Sequence, residues 1–297
     1  MEDKKVGVVL VNYNGSEDTI DCLNSLLNSS YKNILTIVVD NLSTDNSAEI
    51  LKEKEKELRF TLICSPENNG FSAGNNIGIR YAFDHGCSHV LLLNNDTVVT
   101  PDFLSELMKY DDGKKALTGT ILYFWKKDKV WYGGGTVNKF TGKTVHLHKE
   151  ETVETVASVP ESISFISGCE LLVSKQIVNA IGLMDEDYFL YGEDVDYSLR
   201  ISNHGFGLRY VPTSIIYHKV SASTSKISKA TQYYSVRNRR LLIYRNLNWY
   251  QRITALVYTH LQTAHRVFQK RLTIKCVSAG IIDYYQKKFG RTERKFE

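Results

Sequence analysis

The sequence predicts an α/β protein with a mostly parallel central sheet flanked by helices, followed by a helical C-terminal extension. Three observations carry this. Over the first hundred residues, short apolar runs alternate with segments of helical periodicity. Each of these runs ends abruptly on polar residues. Beyond Lys226 the alternation stops and a 3.6-residue pattern continues to near the end.

The elements follow in order. "VGVVLVNYNG" is a continuous apolar run closed by turn residues, as in a strand buried on both faces. "SEDTIDCLNSLLNSS" places Ile20, Leu23, Leu26 and Leu27 at helical spacing, with Ser16 as the expected N-cap. "NILTIVVDNLSTDNS" is a second strand that stops at Asp40, and "STDNSAEILKEKEKE" a second helix. "RFTLICSPENNG" reads as a third strand, "FSAGNNIGIRYAFDHG" as a third helix and "SHVLLLNND" as a fourth strand. Pro101 and Asp102 then open another helix. Strands alternating with helices imply right-handed crossovers and a parallel sheet. Ligands of such sheets bind beyond the carboxyl ends of the strands. Asn12, Asp40 and Asn94 to Asp96 are therefore expected around one cleft.

The middle is less regular. "GTILYFWKKDKVWYGGGTVNKFTGK" mixes short strands with a glycine turn at Gly133 to Gly135, which lacks the Lys-Ser/Thr of a phosphate loop. "SISFISGCELLVSKQIVNAIGLMDEDYF" reads as strand then short helix, and "YGEDVDYSLRISNHGFGLRYVPTSIIYHK" as loop, helix, strand. In the extension, Ile253, Leu256, Val257, Leu261, Ala264, Val267 and Phe268 form one apolar stripe. The expected organisation is one α/β domain over 1–220, made of halves over about 1–100 and 101–220. An amphipathic extension follows over 221–297.

The 297 residues suffice for one large α/β domain with extensions, and 42% hydrophobic content is ordinary for a globular chain. The five scattered cysteines make no CxxC pair, so neither a disulfide framework nor a zinc knuckle is expected, and a reducing compartment fits. No signal peptide is read at the start, and no run reaches the roughly 18 apolar residues of a membrane span. The net charge of +4 hides a segregation. Residues 1–196 carry 18 Lys and Arg against 30 Asp and Glu, and residues 197–297 carry 19 against 3. From Tyr197 to Ile282 there is no acid. Either two solvated faces attract one another, or the last third meets an anionic surface. No nucleic-acid-binding motif accompanies the charge.

Candidate chemistry lies at four places. Asp40 either steadies the turn into the next helix or accepts the N3–H of a pyrimidine base. Asp96 is a turn residue or, with His218, a ligand of a hard divalent cation held against a diphosphate. Asn94 and Asn95 are amides that can bond ribose or phosphate without repulsion. Glu193 and Asp194 suit a helix N-terminus, or supply a general base. His218 ends a strand, where a structural hydrogen bond is the plainer reading.

In this order and spacing, "VVLVNYNG", "VVDNLSTDNS", "NNGFSAGNNIGIRYA", "LLLNNDTVV" and "FLYGEDVDYSLRISNHGF" resemble the motifs of family-two glycosyltransferases with the GT-A fold, over roughly residues 5–245. The pattern is most similar to the rhamnosyltransferase-like branch, which implies dTDP-L-rhamnose as donor. The resemblance implies that Val11, Asn12, Tyr13 and Asp40 hold base and ribose, and that Asn75, Asn95 and Asp96 line the sugar diphosphate. It places Mn²⁺ or Mg²⁺ on Asp96 and His218, the catalytic base at Asp194 with Glu193 as fallback, and the acceptor at Gly168, Cys169 and Trp131. The common Asp-x-Asp reads Asn94-Asn95-Asp96 here, which implies a weakly held metal. The QxxRW of processive members is missing and "YYSVRNRR" is the nearest basic stretch, so transfer of one or a few sugars is expected. Alternatives are a UDP-sugar donor, or a non-catalytic nucleotide-sugar-binding assembly subunit. A nucleotidyltransferase is disfavoured, since "NYNGSED" puts acids where a triphosphate would need a basic loop.

The expected partners are a nucleotide sugar, a saccharide or lipid-diphosphate-linked acceptor, and an anionic membrane surface, with no nucleic acid. The apolar stripe is expected as core or as a homodimer contact ahead of membrane insertion. The expected location is cytoplasmic, peripheral on the inner face of the cell membrane.

Overall fold

The computed structural model describes residues 4–156, 159–220 and 228–296. The first hundred residues build β1 (Val6–Asn12), α1 (Ser16–Leu27), β2 (Ile34–Asp40), α2 (Ser47–Lys54), β3 (Thr61–Cys64), α3 (Gly70–Asp84) and β4 (His89–Leu93), the alternation read from the sequence. Gly15, not Ser16, is the N-cap of α1. Then come β5 (Thr97–Val99), α4 (Phe103–Lys109), β6 (Lys115–Tyr123), β7 (Lys126–Tyr132), β8 (Gly135–Asn138), β9 (Lys143–His146) and β10 (Glu161–Ser162). β11 (Glu170–Ser174), α5 (Lys175–Ile181), α6 (Glu193–Asn203) and β12 (Gly207–His218) complete the sheet domain. Three helices follow: α7 (Lys229–Asn246), α8 (Trp249–Phe268) and α9 (Ile274–Tyr285). The domain boundary expected at residue 220 borders residues 221–227, which lie outside the described residues.

The main sheet runs β10-β12-β6-β11-β4-β1-β2-β3, with β5 added to β12 and β7 to β6. β3, β2, β1 and β4 are parallel, as are β12 and β6. β11 runs antiparallel between β4 and β6 and joins the two parallel groups. The continuous apolar runs are explained by burial on both faces. Val8 and Leu10 join Cys22, Leu23 and Leu26 of α1 in one core, while Val9, Ile37 and Val39 join Ile79 and Ala82 of α3 in the other. All five cysteines are free thiols.

One buried charge belongs to this frame. Glu170 on β11 is fully buried and accepts hydrogen bonds from the Gly119 N–H and the Thr118 hydroxyl, while its Oε1 has no partner. Burial pushes its pKa up to about 7.

The C-terminal helices are part of the folded body. Leu241 and Leu242 of α7 lie in the same core as Tyr132, Phe165 and Ile216, and α9 packs on Tyr233 and Tyr234 of α7. This corrects the reading of the basic stretch as a surface for three of its arginines. Arg237 and Arg240 are fully buried. Arg245 instead pairs with Asp185 and Asp187. The stripe on α8 is split: Ile253, Val257, Leu261 and Phe268 are exposed, while Leu256 and Val267 pack against buried clusters of the neighbouring helices and α8 buries Ala255 and Thr259. Among the described residues, no helix is long and apolar enough to cross a membrane.

Candidate active site

Register places the first pair. Asn12 ends β1 directly opposite Asp40 at the end of β2. Asn12 Nδ2 donates to Asp40 Oδ1 at 2.8 Å and to Ser43 Oγ at 3.2 Å. Asp40 also accepts from the Ser43 hydroxyl at 2.6 Å and the Ser43 N–H at 3.0 Å. The turn-steadying role weighed for Asp40 is therefore present. Asn95 Nδ2 donates to Thr19 Oγ1 at 2.9 Å, and the Thr19 hydroxyl donates to Asn12 Oδ1 at 2.9 Å. A hydrogen-bond chain thus ties the tips of β4, β1 and β2 through α1. It braces the polar rim and keeps its amides oriented. Asn75 is buried and donates to the Phe71 carbonyl, Val11 packs on Gly74, and Tyr13 is exposed at the rim.

The second pair answers what Asp96 meets. Thr97 of β5 stands opposite His218 of β12, and the Lys219 N–H donates to the Asp96 carbonyl. His218 Nε2 then lies 3.1 Å from Asp96 Oδ1. Two neighbouring ligands of an octahedral Mg²⁺ or Mn²⁺, each about 2.1 Å from it, stand about 3 Å apart, so the pair fits one cation. Among the described residues no group of three or more His, Cys, Asp or Glu side chains gathers, and the other positions would fall to phosphate and water oxygens. Lys219 does not neutralise Asp96, because its ammonium is held by Asp18 and Asp21 at 2.7 Å each. Trp131, expected at the acceptor, lies edge-on against the His218 ring at 4.6 Å.

The third group opens α6. Gly192 takes a left-handed φ of 96°, which turns the chain into the helix. Asp194 Oδ2 accepts from the Gly168 N–H at 3.0 Å, and its Oδ1 from the Val195 N–H at 2.8 Å. The carboxylate is half-buried and lines a cleft of about 610 Å³ with Phe165, Tyr191 and Gly192. Burial raises its pKa above the ordinary carboxylate value despite the two donors. Glu193 is buried off that cleft with Oε2 unpartnered, and burial with the neighbouring Asp194 lifts it to about 8. Of the two, Asp194 is the one a ligand in the cleft can touch. Asp196 is structural, accepting from the Tyr188 hydroxyl, Arg200 and Asn246.

One short segment joins these groups. Gly168 holds Asp194, and the next residue, Cys169, accepts the Asn94 N–H at 3.0 Å through its carbonyl. Only the backbone of Cys169 takes part. Its thiol, expected near the acceptor, is buried in the core, and burial pushes its pKa well up.

The comparisons with known proteins bear on what this arrangement is for. A family model described as Glycosyl transferase family 2 matches residues 7–182. The chain belongs to that family. It is 28% identical over 253 residues to the dTDP-rhamnosyl transferase RfbF of Shigella flexneri, covering 82% of this chain and 81% of that one. Among solved structures, the mannosyltransferase PcManGT of Pyrobaculum calidifontis, in complex with GDP-Man and Mn²⁺, superposes with a TM-score of 0.60 at 13% identity, covering 96% of this chain and 88% of that one. TarS 1–349 of S. aureus, in complex with UDP-GlcNAc, gives 0.59 at 15%, covering 95% and 81%. The fold of this glycosyltransferase is GT-A.

Two residues of the glycosyltransferase whose place sequence reading missed are Arg237, read as part of a basic surface, and Asn238 of α7. Asn238 Nδ2 donates to the carbonyls of Tyr188, Leu190 and Tyr191 at 2.8 Å each. Arg237 donates to Asp187 and Tyr188, and to the C-terminal carbonyls of Lys288 and Gly290. Together they hold the loop that leads into Asp194, where Phe189 and Tyr191 also have positive φ. The same loop grips the start of α3. The Phe71 N–H donates to the Phe189 carbonyl, and a Cβ on Gly70 would stand 2.1 Å from that oxygen. The basic cluster was visible in "YYSVRNRR", but nothing local distinguishes an inward arginine from an outward one.

Proposed function

We propose that this glycosyltransferase moves L-rhamnose from dTDP-L-rhamnose to a hydroxyl of a saccharide or lipid-diphosphate-linked acceptor, with inversion. The observation that carries the reading is the placing of Asp194: a pinned carboxylate of raised proton affinity on the cleft, joined through Gly168 and Cys169 to the strand tip that bears Asp96. The likeness to the Shigella flexneri enzyme over 82% of the chain supports the choice of donor.

In this mechanism Val11, Asn12, Tyr13 and Asp40 frame the base and ribose at the tips of β1 and β2, and Asn75 and Asn95 flank the sugar diphosphate. Asp96 and His218 would hold Mn²⁺ or Mg²⁺, which when bound offsets the charge gained by the leaving diphosphate. The acceptor hydroxyl approaches from the cleft. Asp194 takes its proton as the oxygen bonds to the anomeric carbon and the bond to the diphosphate breaks. The transition state is oxocarbenium-like, and one carboxylate on the attacking face suffices for a single displacement. Glu193, buried off the cleft, holds its own proton up to about pH 8 and stays neutral beside Asp194.

The exposed face of α8 supports peripheral attachment to the inner face of an anionic membrane. Trp249, Ile253, Val257, Leu261 and Phe268 are all more than half exposed, and Lys270, Arg271 and Lys275 follow at the end of the stripe. The basic end complements an anionic surface. A second copy of the chain is the competing occupant of this face.

The deciding experiment is a panel of nucleotide sugars scored for release of nucleoside diphosphate, with and without Mn²⁺ or Mg²⁺. Release of dTDP from dTDP-L-rhamnose, lost in Asp194→Asn, is the expected result. Preference for a UDP-sugar would overturn the donor. Absence of release from every donor would leave a non-catalytic subunit.

A further inference from the structure

The cleft that Asp194 lines continues away from it into a strongly basic wall. Lys143 of β9, Arg239 of α7, Arg266 of α8 and Arg271 beyond it all line the same space of about 610 Å³. Asp194 is the one carboxylate on that lining among the described residues. Among the described residues none of the four cations stands within ion-pair distance of a carboxylate, whereas Arg245 of α7 pairs with Asp185 and Asp187, and Arg294 beyond α9 pairs with Asp283. Arg239 is half-buried. It donates to Gln262 Oε1 and the Thr141 carbonyl, but its buried Nε has no partner. Burial pushes its guanidinium pKa down and nearby Arg266 adds to that, with only the Tyr258 side chain acting in the opposite direction.

We propose that this part of the cleft is a phosphoryl-binding subsite that takes a phosphate or diphosphate group carried by the acceptor. The inference rests on the reading of Asp194 as general base, and it deepens that reading by naming the acceptor's chemistry. Guanidinium groups match phosphate oxygens in paired hydrogen bonds, and several unneutralised cations match a multiply charged anion better than a single carboxylate. The donor's own diphosphate does not account for them. In a single displacement the leaving group and the attacking oxygen lie on opposite faces of the sugar carbon. Groups that share a cleft with the base therefore serve the attacker. A cleft of this volume holds one ligand of moderate size, so the accepting hydroxyl and the phosphoryl group belong to one short moiety. Such a moiety is a phosphorylated sugar at the end of a lipid or of a phosphate-containing chain.

The test is calorimetric titration of octyl phosphate, below its micelle concentration, into protein saturated with dTDP so that the donor position is filled. Octyl glucoside and sodium glucuronate are the controls. Octyl phosphate is expected to bind and the controls are not. Arg266→Gln/Arg271→Gln, both on the open side of the cleft, should weaken it by about tenfold or more, the loss of charge-assisted hydrogen bonds. Affinity for dTDP should stay within about twofold, since neither residue is near the strand tips. Equal octyl phosphate binding by both proteins, or glucuronate binding as tightly, overturns the proposal. So does a double variant that loses only its attachment to phosphatidylglycerol vesicles, which would assign the charges to lipid headgroups outside the cleft. If dTDP does not bind, the donor reading fails instead, and the octyl phosphate contrast is decided on the nucleotide-free protein.

Discussion

The backbone N–H of Gly168 donates to Asp194 Oδ2 over 3.0 Å. With the second bond from Val195 it fixes the plane of the carboxylate while leaving lone pairs toward the cleft. Asp194→Asn keeps the shape and removes the basicity. Nucleotide affinity should persist, while turnover falls by about 10²–10⁴-fold. Near wild-type turnover would move the base to Glu193.

The pH profile follows from the raised proton affinity of Asp194. A base acts deprotonated, so the rate rises with pH as the proton leaves. The acidic limb of kcat/KM should therefore lie above the ordinary carboxylate range. A limb within that range would show Asp194 to be better solvated than its surroundings imply.

Asp96 and His218 stand 3.1 Å apart at the strand tip. Asp96→Ala should weaken donor affinity and erase any dependence on Mn²⁺ or Mg²⁺. Full activity of the unaltered enzyme in excess chelator would leave the pair a structural contact between β12 and the end of β4.

Asn238→Ala removes three hydrogen bonds from the loop before Asp194. The base should lose its alignment, with kcat falling by about 10–10²-fold while nucleotide affinity holds. Stability should fall by about 1–3 kcal/mol, seen in denaturant unfolding. An unchanged kcat would mean that Arg237 alone holds the loop.

Glu170 gives a stability test remote from the chemistry. Its pKa is about 7 in the folded chain against an ordinary 4.5. Between those values the folded state holds a proton that the unfolded state has lost, so stability declines as pH rises and levels off above 7. Glu170→Gln should match the parent near pH 4.5 and exceed it at pH 8.5 by up to about 3 kcal/mol. Parallel unfolding curves at both pH values would show the carboxyl to be solvated.

Sedimentation with anionic liposomes tests the α8 face. Binding is expected at low salt and should be lost at high salt and in Leu261→Asp/Phe268→Asp. Equal binding to neutral vesicles would refute the electrostatic part. Concentration-dependent dimers abolished by the same variant would give the face to a second copy.

The parallel strands were legible because burial on both faces forces continuous apolar runs such as Val6–Leu10 and Leu91–Leu93, each ended by polar residues. Asp40, Asp96 and Asp194 stood out as candidates because Asp40 closes an apolar run, Asp96 lies three residues beyond one, and Asp194 opens a helix. What stayed hidden is set by distant pairing. The antiparallel β11 looks like any other apolar run, since direction leaves no trace in composition. Arg237 reads as a surface charge until the carbonyls of Asp187 and Gly290 are brought to it. The α8 periodicity was real, but periodicity says which residues share a face and not which way the face points.

The carbonyls of Lys288 and Gly290 that Arg237 binds come some fifty residues later in the chain than Arg237 itself. The parallel group β3-β2-β1-β4, by contrast, is complete in sequence by Leu93. During synthesis the two must therefore be finished at different times, and the loop ahead of Asp194 gains its full set of bonds only after the chain has run past α9.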